Sequence, residues 1–369
     1  MATIQSIKAK IQGLIDKSNE ATGGSDTDLT TAIDNLIANQ GGGGALVEKA
    51  VNFWDYDGTL LYSYTIQEAH ALTELPPAPI HNELDYMTFK DWSETLATIN
   101  SLPAFGDIFA LYKPTDATTY GSANGSVLYV DIYSDLTITL KLSCATSGKG
   151  FVFWGDGNVE PITSTSPTNM SHTYENYGKY AIFIYSGTTS TYLGATSGSN
   201  NLMNSAEDYL LLSCALGDFH YINQYAFYKC YRLEKAYVKR GNGCQYGFNG
   251  CGNLRVCYSI AGPYMFGGCY ALTRYRGSGG ETTNGISNGI MATVHHTGGA
   301  VYSIPRACRT FIITYGAVSS LNSKAVVPNG MKIYVLDNLV SNYKSNSLWS
   351  TYADRIYGIS EINHKDLML

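Results

Sequence analysis

The sequence predicts a multidomain, mostly β protein that carries a short helical segment at its N-terminus. Three observations lead to this prediction. The 369 residues suffice for two or three domains of ordinary size. Charged residues make up only 15% of the chain, whereas Tyr (30 copies) and Gly (38 copies) are abundant, as in extracellular β-rich proteins and binding surfaces. The last part of the chain also repeats a short motif, which predicts a solenoid.

The composition excludes several other classes. With 24 Lys and Arg against 30 Asp and Glu, the chain lacks the basic surplus of a nucleic-acid-binding protein. No apolar run approaches the roughly 20 residues of a membrane helix, so no membrane insertion is expected. The N-terminal sequence MATIQSIKAKIQGLIDK has no apolar signal-peptide core. An extracellular composition without an export signal is expected of a virion protein, which is assembled in the host cytoplasm and released by lysis.

Residues 1–40 are predicted to form a helical hairpin for anchoring or oligomerisation, because apolar side chains recur there at helical spacing. The first stripe contains Ile4, Ile7, Ile11 and Leu14, and the second contains Leu29, Ile33 and Leu36. Two short helices cannot bury such stripes alone. They are expected to pack against copies of themselves, a docking surface or the body of the protein. Residues 41–45, which include four consecutive glycines, predict a flexible linker.

Residues 46–117 are predicted to form a small β or α+β domain, with a helix in residues 90–100 and a hairpin turn at Asp57-Gly58. The segment FWDYDGTL, with Asp55 and Asp57, also resembles the D-x-D-G-T motif of haloacid-dehalogenase-type phosphotransferases. That resemblance implies a nucleophile at Asp55 and an acid/base at Asp57 beside Mg²⁺. The fold of that family requires alternating βα units, which the downstream sequence lacks. We therefore favour the hairpin turn and expect no catalytic residue.

Residues 118–187 are predicted to form a β-sandwich. Apolar residues alternate strictly with polar ones from Leu136 to Cys144, as in a half-buried strand. The segment FVFWGDGNVEPITSTSPTNMSHTYENYGKYAIFI resembles PKD-type domains through its W-G-D-G and H-T-Y motifs. The resemblance implies a spacer or interaction module, in which Asp156 holds a turn and Tyr174 packs. One carboxylate alone does not predict a Ca²⁺ site. The polar residues 188–208 are predicted to be a linker.

Residues 209–369 repeat the pattern F-x-x-C-x-x-L with steps of 21 and then 18 residues. The repeat-core positions are Phe227, Cys230, Leu233, Phe248, Cys251, Leu254, Phe266, Cys269 and Leu272. A tyrosine precedes each Phe by two residues, at Tyr225, Tyr246 and Tyr264. A partial copy contains Cys308 and Phe311, and a worn copy is expected near residues 286–290. Because each unit buries its apolar face only by stacking, we expect a ladder of buried free thiols rather than disulfides.

The segment YAFYKCYRLEKAYV resembles the BspA-like leucine-rich repeat, and the residues after Met331 resemble the segment that closes such arrays. The two resemblances cover residues 209–362 and imply surface adhesion or protein binding. Tyr228, Tyr231 and Tyr270 lie beside the ladder positions and are the candidate ligand contacts. The pair His295-His296 has no metal-ligating partner at suitable spacing, so a solvated loop is expected there. No metal or other cofactor is expected.

The opening of the chain, together with VNFWDYDGTLLYSYT, resembles the N-terminal region of fibre-like virion proteins from phages of gut Firmicutes. We therefore expect a modular rod that acts as a non-enzymatic head or tail fibre. Its N-terminal helices would bind other virion proteins, and its C-terminal half would bind a host-surface glycan or protein with the avidity of repeated weak contacts. A homo-oligomer is expected, with a trimer favoured by analogy to fibres. The alternatives are a bacterial surface adhesin, a capsid decoration protein without a receptor role, and a dehalogenase-type hydrolase.

Overall fold

The computed structural model describes residues 48–81, 84–194, 201–203, 207, 209–240, 246–259, 265–277, 293–301, 304–323 and 325–363. Within these residues the chain is mostly β, which confirms the fold class at that level. The predicted helical hairpin of residues 1–40 and the glycine linker lie outside the described residues. So do Cys244, Tyr264 and the worn repeat copy near residues 286–290.

Residues 48–120 form a small sheet with short helices. Its strands are β1 (Val51–Trp54), β2 (Leu60–Tyr64), β3 (Met87–Trp92) and β4 (Gly106–Pro114), and its helices are α1 (Ile66–His70), α2 (Leu96–Asn100) and α3 (Ala117–Tyr120). The strand order is β2-β1-β4-β3, in which only β1 and β4 are parallel. The hairpin predicted at Asp57-Gly58 is confirmed, with Gly58 in the left-handed region at φ +82°. The helix predicted in residues 90–100 begins only at Leu96, because the preceding residues complete β3.

Two sheets follow and pack face to face around a shared apolar core, and we call this pair of sheets the sandwich. Their strands are β5 (Ser126–Ile132), β6 (Thr137–Cys144), β7 (Gly150–Phe153), β8 (Val159–Ile162), β9 (Thr168–Thr173), β10 (Gly178–Tyr185), β11 (Thr191–Leu193) and β13 (His220–Ile222). One sheet has the order β13-β11-β6-β9, and the other contains β5-β10-β7-β8. The half-buried strand predicted from the Leu136–Cys144 alternation is confirmed as β6. The linker predicted over residues 188–208 is wrong at β11, because this strand pairs with β6 and its alternate residues enter the core.

The rest of the chain adds one short strand after another to the second sheet. These strands are β12 (Leu211–Ala215), β14 (Lys235–Val238), β15 (Val256–Ser259), β16 (Arg274–Gly277), β17 (Thr293–His296), β19 (Thr310–Ile313), β21 (Lys332–Val335) and β22 (Ile356–Gly358). All eight are parallel to their neighbours in this series, which we call the parallel array. A separate parallel pair is formed by β18 (Ala300–Val301) and β20 (Ser320–Leu321). Helix α4 (Val340–Ser345) and three 3₁₀ turns, Asp337–Leu339, Ser350–Arg355 and Ile359–Glu361, surround β22.

Strand β12 joins the parallel array to the sandwich, because it also pairs with β5 in antiparallel orientation. The result is one twelve-stranded sheet that extends from β8 to β22. This differs from the expected rod, in which residues 118–187 and 209–369 are separate modules joined by a linker. Pairing between distant strands satisfies backbone N–H and C=O groups, and a local sequence pattern does not show which strands will pair.

The repeat motif explains the spacing of the array strands. Strands β14, β15 and β16 each begin two residues after the leucine of F-x-x-C-x-x-L. The nine repeat-core residues are all buried. The rings of Phe227 and Phe248 stack at 5.2 Å between centroids, and those of Phe248 and Phe266 at 5.9 Å, with nearly parallel ring planes in both cases. Each apolar face is therefore covered by the next repeat.

The cysteines form the expected thiol ladder. The Cys251 thiol donates to the Phe227 carbonyl at 2.9 Å, and the Cys269 thiol donates to the Phe248 carbonyl at 3.0 Å. The hydrogen bonds therefore run from each repeat to the preceding one. The seven described cysteines are buried thiols: Cys144, Cys214, Cys230, Cys251, Cys257, Cys269 and Cys308.

The small sheet of residues 48–120 covers one face of the parallel array. The Arg274 guanidinium lies at the centre of the contact and donates to Asp107 at 2.8 Å and to the Lys49 and Ala50 carbonyls at 3.0 and 2.7 Å. Its neighbour Arg276 donates to Glu94 at 2.6 Å. Around these ion pairs, the Lys235 ammonium lies 4.6 Å from the Trp54 ring centre, and Phe109 packs on Tyr237. Much of this array face is therefore an internal interface.

The phenylalanine stack yields a stability prediction. Phe248→Ala removes a fully buried ring that contacts a ring on each side, so we expect the free energy of unfolding to fall by about 3–5 kcal/mol. Denaturant titration measures the change. The exposed Leu348 provides a control, for which truncation to Ala is expected to change stability by at most about 0.5 kcal/mol. Equal effects of the two substitutions would contradict the stacking role.

Candidate functional site

The edge of the array at which its parallel strands begin carries two of the three candidate tyrosines. Tyr231 and Tyr270 each lie four residues before a strand, β14 and β16 respectively, and Gly252 has the same position before β15. Tyr270 is 69% exposed. Tyr231 is half-buried and stacks on Tyr209 at 5.0 Å, with Tyr209 itself 47% exposed. We call this surface the leading edge.

Arg232 connects the leading edge to the sandwich. Its guanidinium donates to the Asp131 carboxylate at 2.7 Å and to the Tyr209 carbonyl at 3.4 Å. It also lies 5.2 Å from the ring centre of Tyr133, which is 48% exposed. Arg232 thus contacts the ring of Tyr133 and the backbone of Tyr209. Neither residue occurs in the repeat motif, so the F-x-x-C-x-x-L pattern does not predict their position on this edge.

The third candidate, Tyr228, belongs to a different ring cluster. Its ring meets Tyr225 edge to face at 5.4 Å, and Tyr225 stacks on Tyr246 at 4.7 Å. Tyr225 and Tyr246 both have a φ of +58°, an unusual conformation for a tyrosine that recurs one repeat later. This recurrence indicates a structural role for the turn tyrosines. The structure therefore brings Tyr231 and Tyr270 to one edge and places Tyr228 elsewhere.

Asp55 is enclosed by hydrogen-bond donors. Its carboxylate is 2% exposed and accepts from the Tyr112 hydroxyl, from His81 Nε2 at 2.7 Å and from the Tyr56 amide at 2.7 Å. Burial, followed by the nearby Asp55 charge, raises the pKa of Tyr112 well above its usual value. Asp57 accepts from the amide and hydroxyl of Thr59 and so stabilises the hairpin turn. Because both Asp55 oxygens are engaged, the motif has the geometry of a structural turn.

A cleft of about 390 Å³ lies beside this carboxylate. His81 and Tyr112 line it together with apolar side chains that include Pro79 and Phe89. The His81 ring also packs edge to face on Tyr56 at 5.0 Å. Asp55 thus orients two polar side chains at the wall of the cleft.

The W-G-D-G turn of the sandwich is closed by a second Asp–His pair. Asp156 accepts from His172 Nε2 at 2.7 Å and from the Asn158 amide at 3.1 Å. The His172 ring stacks on Trp154 at 4.8 Å, and the Tyr174 hydroxyl donates to the Trp154 carbonyl at 2.9 Å. Burial alone would raise the pKa of Asp156, but the hydrogen bonds from His172 and Asn158 outweigh it and lower that pKa. Among the described residues, no group of three or more His, Cys, Asp or Glu side chains is arranged to hold a metal ion.

The expectation of a solvated loop at His295-His296 is wrong. Both residues belong to β17 and are buried, because this strand is paired on both sides with array strands. His295 Nε2 lies 2.9 Å from the Thr314 hydroxyl, whereas the ring of His296 stacks on Phe311 inside the array. Burial lowers the pKa of His296 to about 4. Burial, Arg276 and His296 together lower the pKa of His295 well below its usual value.

No protein-family model matches the chain, and no curated protein matches it. Among the described residues, no helix has both the length and the apolar character needed to span a membrane.

The enclosed carboxylate yields a prediction for Asp55→Ala. The substitution leaves the Tyr112 and Tyr56 donors and His81 without their shared acceptor, so we expect a loss of about 3 kcal/mol in the free energy of unfolding. Denaturant titration provides the measurement, with Asp91→Ala on the surface as the control. In parallel, p-nitrophenyl phosphate and Mg²⁺ test for catalysis. A phosphatase activity of the wild-type chain that Asp55→Asn abolishes would contradict the structural role.

The buried histidines predict a loss of stability in mild acid. Burial lowers the pKa of His220 to about 3, and both its ring nitrogens face serine hydroxyls, those of Ser126 and Ser186. Below pH 6.5 the unfolded chain binds protons at His220, His295 and His296. The folded chain binds a proton at His296 only near pH 4 and at His220 only near pH 3, and the pKa of His295 is also well below its usual value. The contribution of these histidines to the free energy of unfolding is therefore fully present above pH 6.5. It falls between pH 6.5 and 4, by up to about 1.4 kcal/mol per pH unit for each histidine.

Denaturant titrations at pH 7.5, 6.5 and 5.5 measure this slope, and His220→Asn serves as the test variant. Between pH 6.5 and 5.5 we expect the free energy of unfolding to fall less steeply in the variant than in the wild type, because the variant lacks the contribution of one histidine. An unchanged slope would show that His220 does not titrate differently in the folded and unfolded chains.

Proposed function

We propose that this protein is a non-enzymatic virion appendage of a phage, a head or tail fibre that attaches to the host surface through its leading edge. The observation that carries the proposal is the row of exposed tyrosines on that edge of a rigid sheet. Large exposed aromatic side chains are common at recognition surfaces, because they bury much apolar area at little conformational cost. Tyr270 is 69% exposed, and Tyr133 and Tyr209 are each about half exposed.

The covered array face supports the choice of the edge. The concave sheet face of a repeat array is its usual binding surface. In this protein, Arg274 and Arg276 lie on the array face that the small sheet covers, and they form ion pairs with Asp107 and Glu94. A partner would have to displace buried ion pairs to reach these side chains, which is costly. The leading edge needs no such displacement.

The proposal includes the organisation inferred from the sequence. A helical hairpin in residues 1–40 binds other virion proteins, and a PKD-like sandwich and BspA-like repeats form the outer part of the fibre. Several copies, three by analogy with other fibres, each present one leading edge. Weak contacts made by several linked copies combine into high avidity, which suits adhesion without a tight single site.

The environment of Asp55 supports a non-enzymatic protein over a dehalogenase-type hydrolase. A nucleophilic carboxylate needs an oxygen that a substrate can approach. Both oxygens of Asp55 accept hydrogen bonds from the protein itself. The donors are the Tyr56 amide, His81 Nε2 and the Tyr112 hydroxyl. Strand β1, which ends one residue before Asp55, also continues into an antiparallel hairpin rather than into a βα unit.

Immunogold labelling of intact particles tests the proposal. An antibody against the full chain is applied to lysates and cells of the culture that produces it, and we expect label on phage particles. Label on the cell surface alone would contradict the proposal and favour a bacterial adhesin.

Adsorption measurements then separate a fibre from a decoration protein. We expect the purified chain to compete with labelled particles for binding to host cells. Tyr209→Ala is expected to weaken this competition at least fivefold, whereas Tyr177→Ala, an exposed tyrosine on the sandwich, leaves it unchanged. Labelled particles combined with no competition by the wild-type chain would favour capsid decoration.

A further inference from the structure

We infer that a notch on the leading edge, with Gly252 as its floor and Tyr231 and Tyr270 as its walls, binds a neutral polysaccharide. This inference rests on the proposed adhesion function and names the ligand class of that surface. Its three residues share one repeat position in three consecutive repeats.

The pairing of the strands sets the width of the notch. Strands β14, β15 and β16 are adjacent and parallel, so residues at one repeat position are separated by one strand spacing. Tyr231 and Tyr270 are two strands apart, which corresponds to about 10 Å. A sugar ring between two aromatic rings needs about 7–8 Å, which is twice a van der Waals separation. The notch therefore has room for one ring between its walls.

The floor of the notch is open and rigid. A Cβ added at Gly252 would meet no atom within 4 Å, so the space above the backbone is free. The Gly252 carbonyl accepts from the Ala271 amide at 3.2 Å, and the Gly252 amide donates to the Gly250 carbonyl at 2.9 Å. The absence of a side chain at this repeat position, where the flanking repeats have tyrosine, creates the gap.

A second contact surface continues from the notch. The Tyr231 ring stacks on Tyr209, and Tyr209 is linked through Arg232 to Tyr133. Exposed rings thus extend from Tyr270 to the sandwich. A polysaccharide, unlike a monosaccharide, can use such a series of separate ring contacts.

The chemistry of these side chains matches a sugar. A pyranose has faces of C–H groups and a rim of hydroxyls, and a tyrosine offers an apolar ring face and a polar hydroxyl. The surface comprises five side chains, those of Tyr133, Tyr209, Tyr231, Arg232 and Tyr270. The charge of Arg232 is balanced by the Asp131 carboxylate at 2.7 Å. These five side chains carry no uncompensated charge, which favours a neutral polysaccharide over an acidic one.

Affinity electrophoresis of the full chain tests the inference. Gels contain dextran, mannan or galactan as neutral polymers, and dextran sulfate serves as the charged counterpart of dextran. We expect at least one neutral polymer to retard the chain. Tyr231→Ala and Tyr270→Ala should each weaken that interaction at least tenfold, and Tyr177→Ala should have no effect. Gly252→Trp should abolish it, because the indole would fill the notch, and a Cβ at this position meets no atom within 4 Å.

Circular dichroism melting of each variant establishes that the fold is intact. Retardation by dextran sulfate alone would overturn the inference, and so would neutral-polymer binding that both Tyr270→Ala and Gly252→Trp leave unchanged.

Binding of the full chain to host cells separates this inference from the proposed function. We expect periodate treatment of the cells, which destroys sugars, to reduce binding, and Tyr270→Ala to do the same. Binding that is lost after protease but not after periodate would overturn the polysaccharide and identify a protein receptor, while adhesion itself would stand. Absence of any binding by the wild-type chain would instead contradict the proposed function.

Discussion

In-register parallel pairing of one short strand per repeat is the constraint on which the rest of the structure depends. A four-residue strand cannot bury its own apolar side chains, so it is stable only between neighbours. Pairing in register places equivalent residues in rows across the sheet. Alternate residues point to opposite faces, so the row from Ala236 through Cys257 to Tyr275 enters the core with the Phe and Cys stacks. The row from Lys235 through Arg274 faces the opposite way.

That opposite face determines where the small sheet lies. A buried guanidinium is costly unless its donors are satisfied, and Arg274 achieves this with one carboxylate and two backbone carbonyls from residues 48–120. The acceptors lie directly before β1 and at the start of β4, so the arginine also fixes the orientation of the small sheet. Arg274 and Arg276 on this face are then engaged by the small sheet of the protein itself.

The parts of the fold that were predictable depend on local patterns. The F-x-x-C-x-x-L period predicted the stacked core, the alternation in β6 predicted that strand, and Asp57-Gly58 predicted the hairpin. The errors concern choices of partner that no local pattern records. Strand β11 lies in a polar segment, and β12 continues into the sandwich through β5, because distant backbone groups complete their pairing there.

The candidate site was predictable only where it coincides with the repeat. Tyr231 and Tyr270 stood out because they follow the ladder cysteines, but Tyr133 and Tyr209 come to the same edge through Arg232. The pair His295-His296 suggested a solvated loop, but their strand is paired on both sides and Phe105 packs on His295. A sequence reports the polarity of a side chain but not the surface that folds over it.

The repeat separates the requirements of stability from those of recognition. In each unit the cysteine carries the core contact, and the next residue lies on the leading edge, where it is Tyr231, Gly252 or Tyr270 in turn. A change at the edge position alters the exposed surface without altering the stack, because the neighbouring side chains of a turn point in different directions. The order of tyrosine, glycine and tyrosine therefore defines the shape of the notch, while the constant Phe, Cys and Leu positions hold its walls at a spacing set by the sheet. Such an edge can vary its ligand while the array beneath it stays the same.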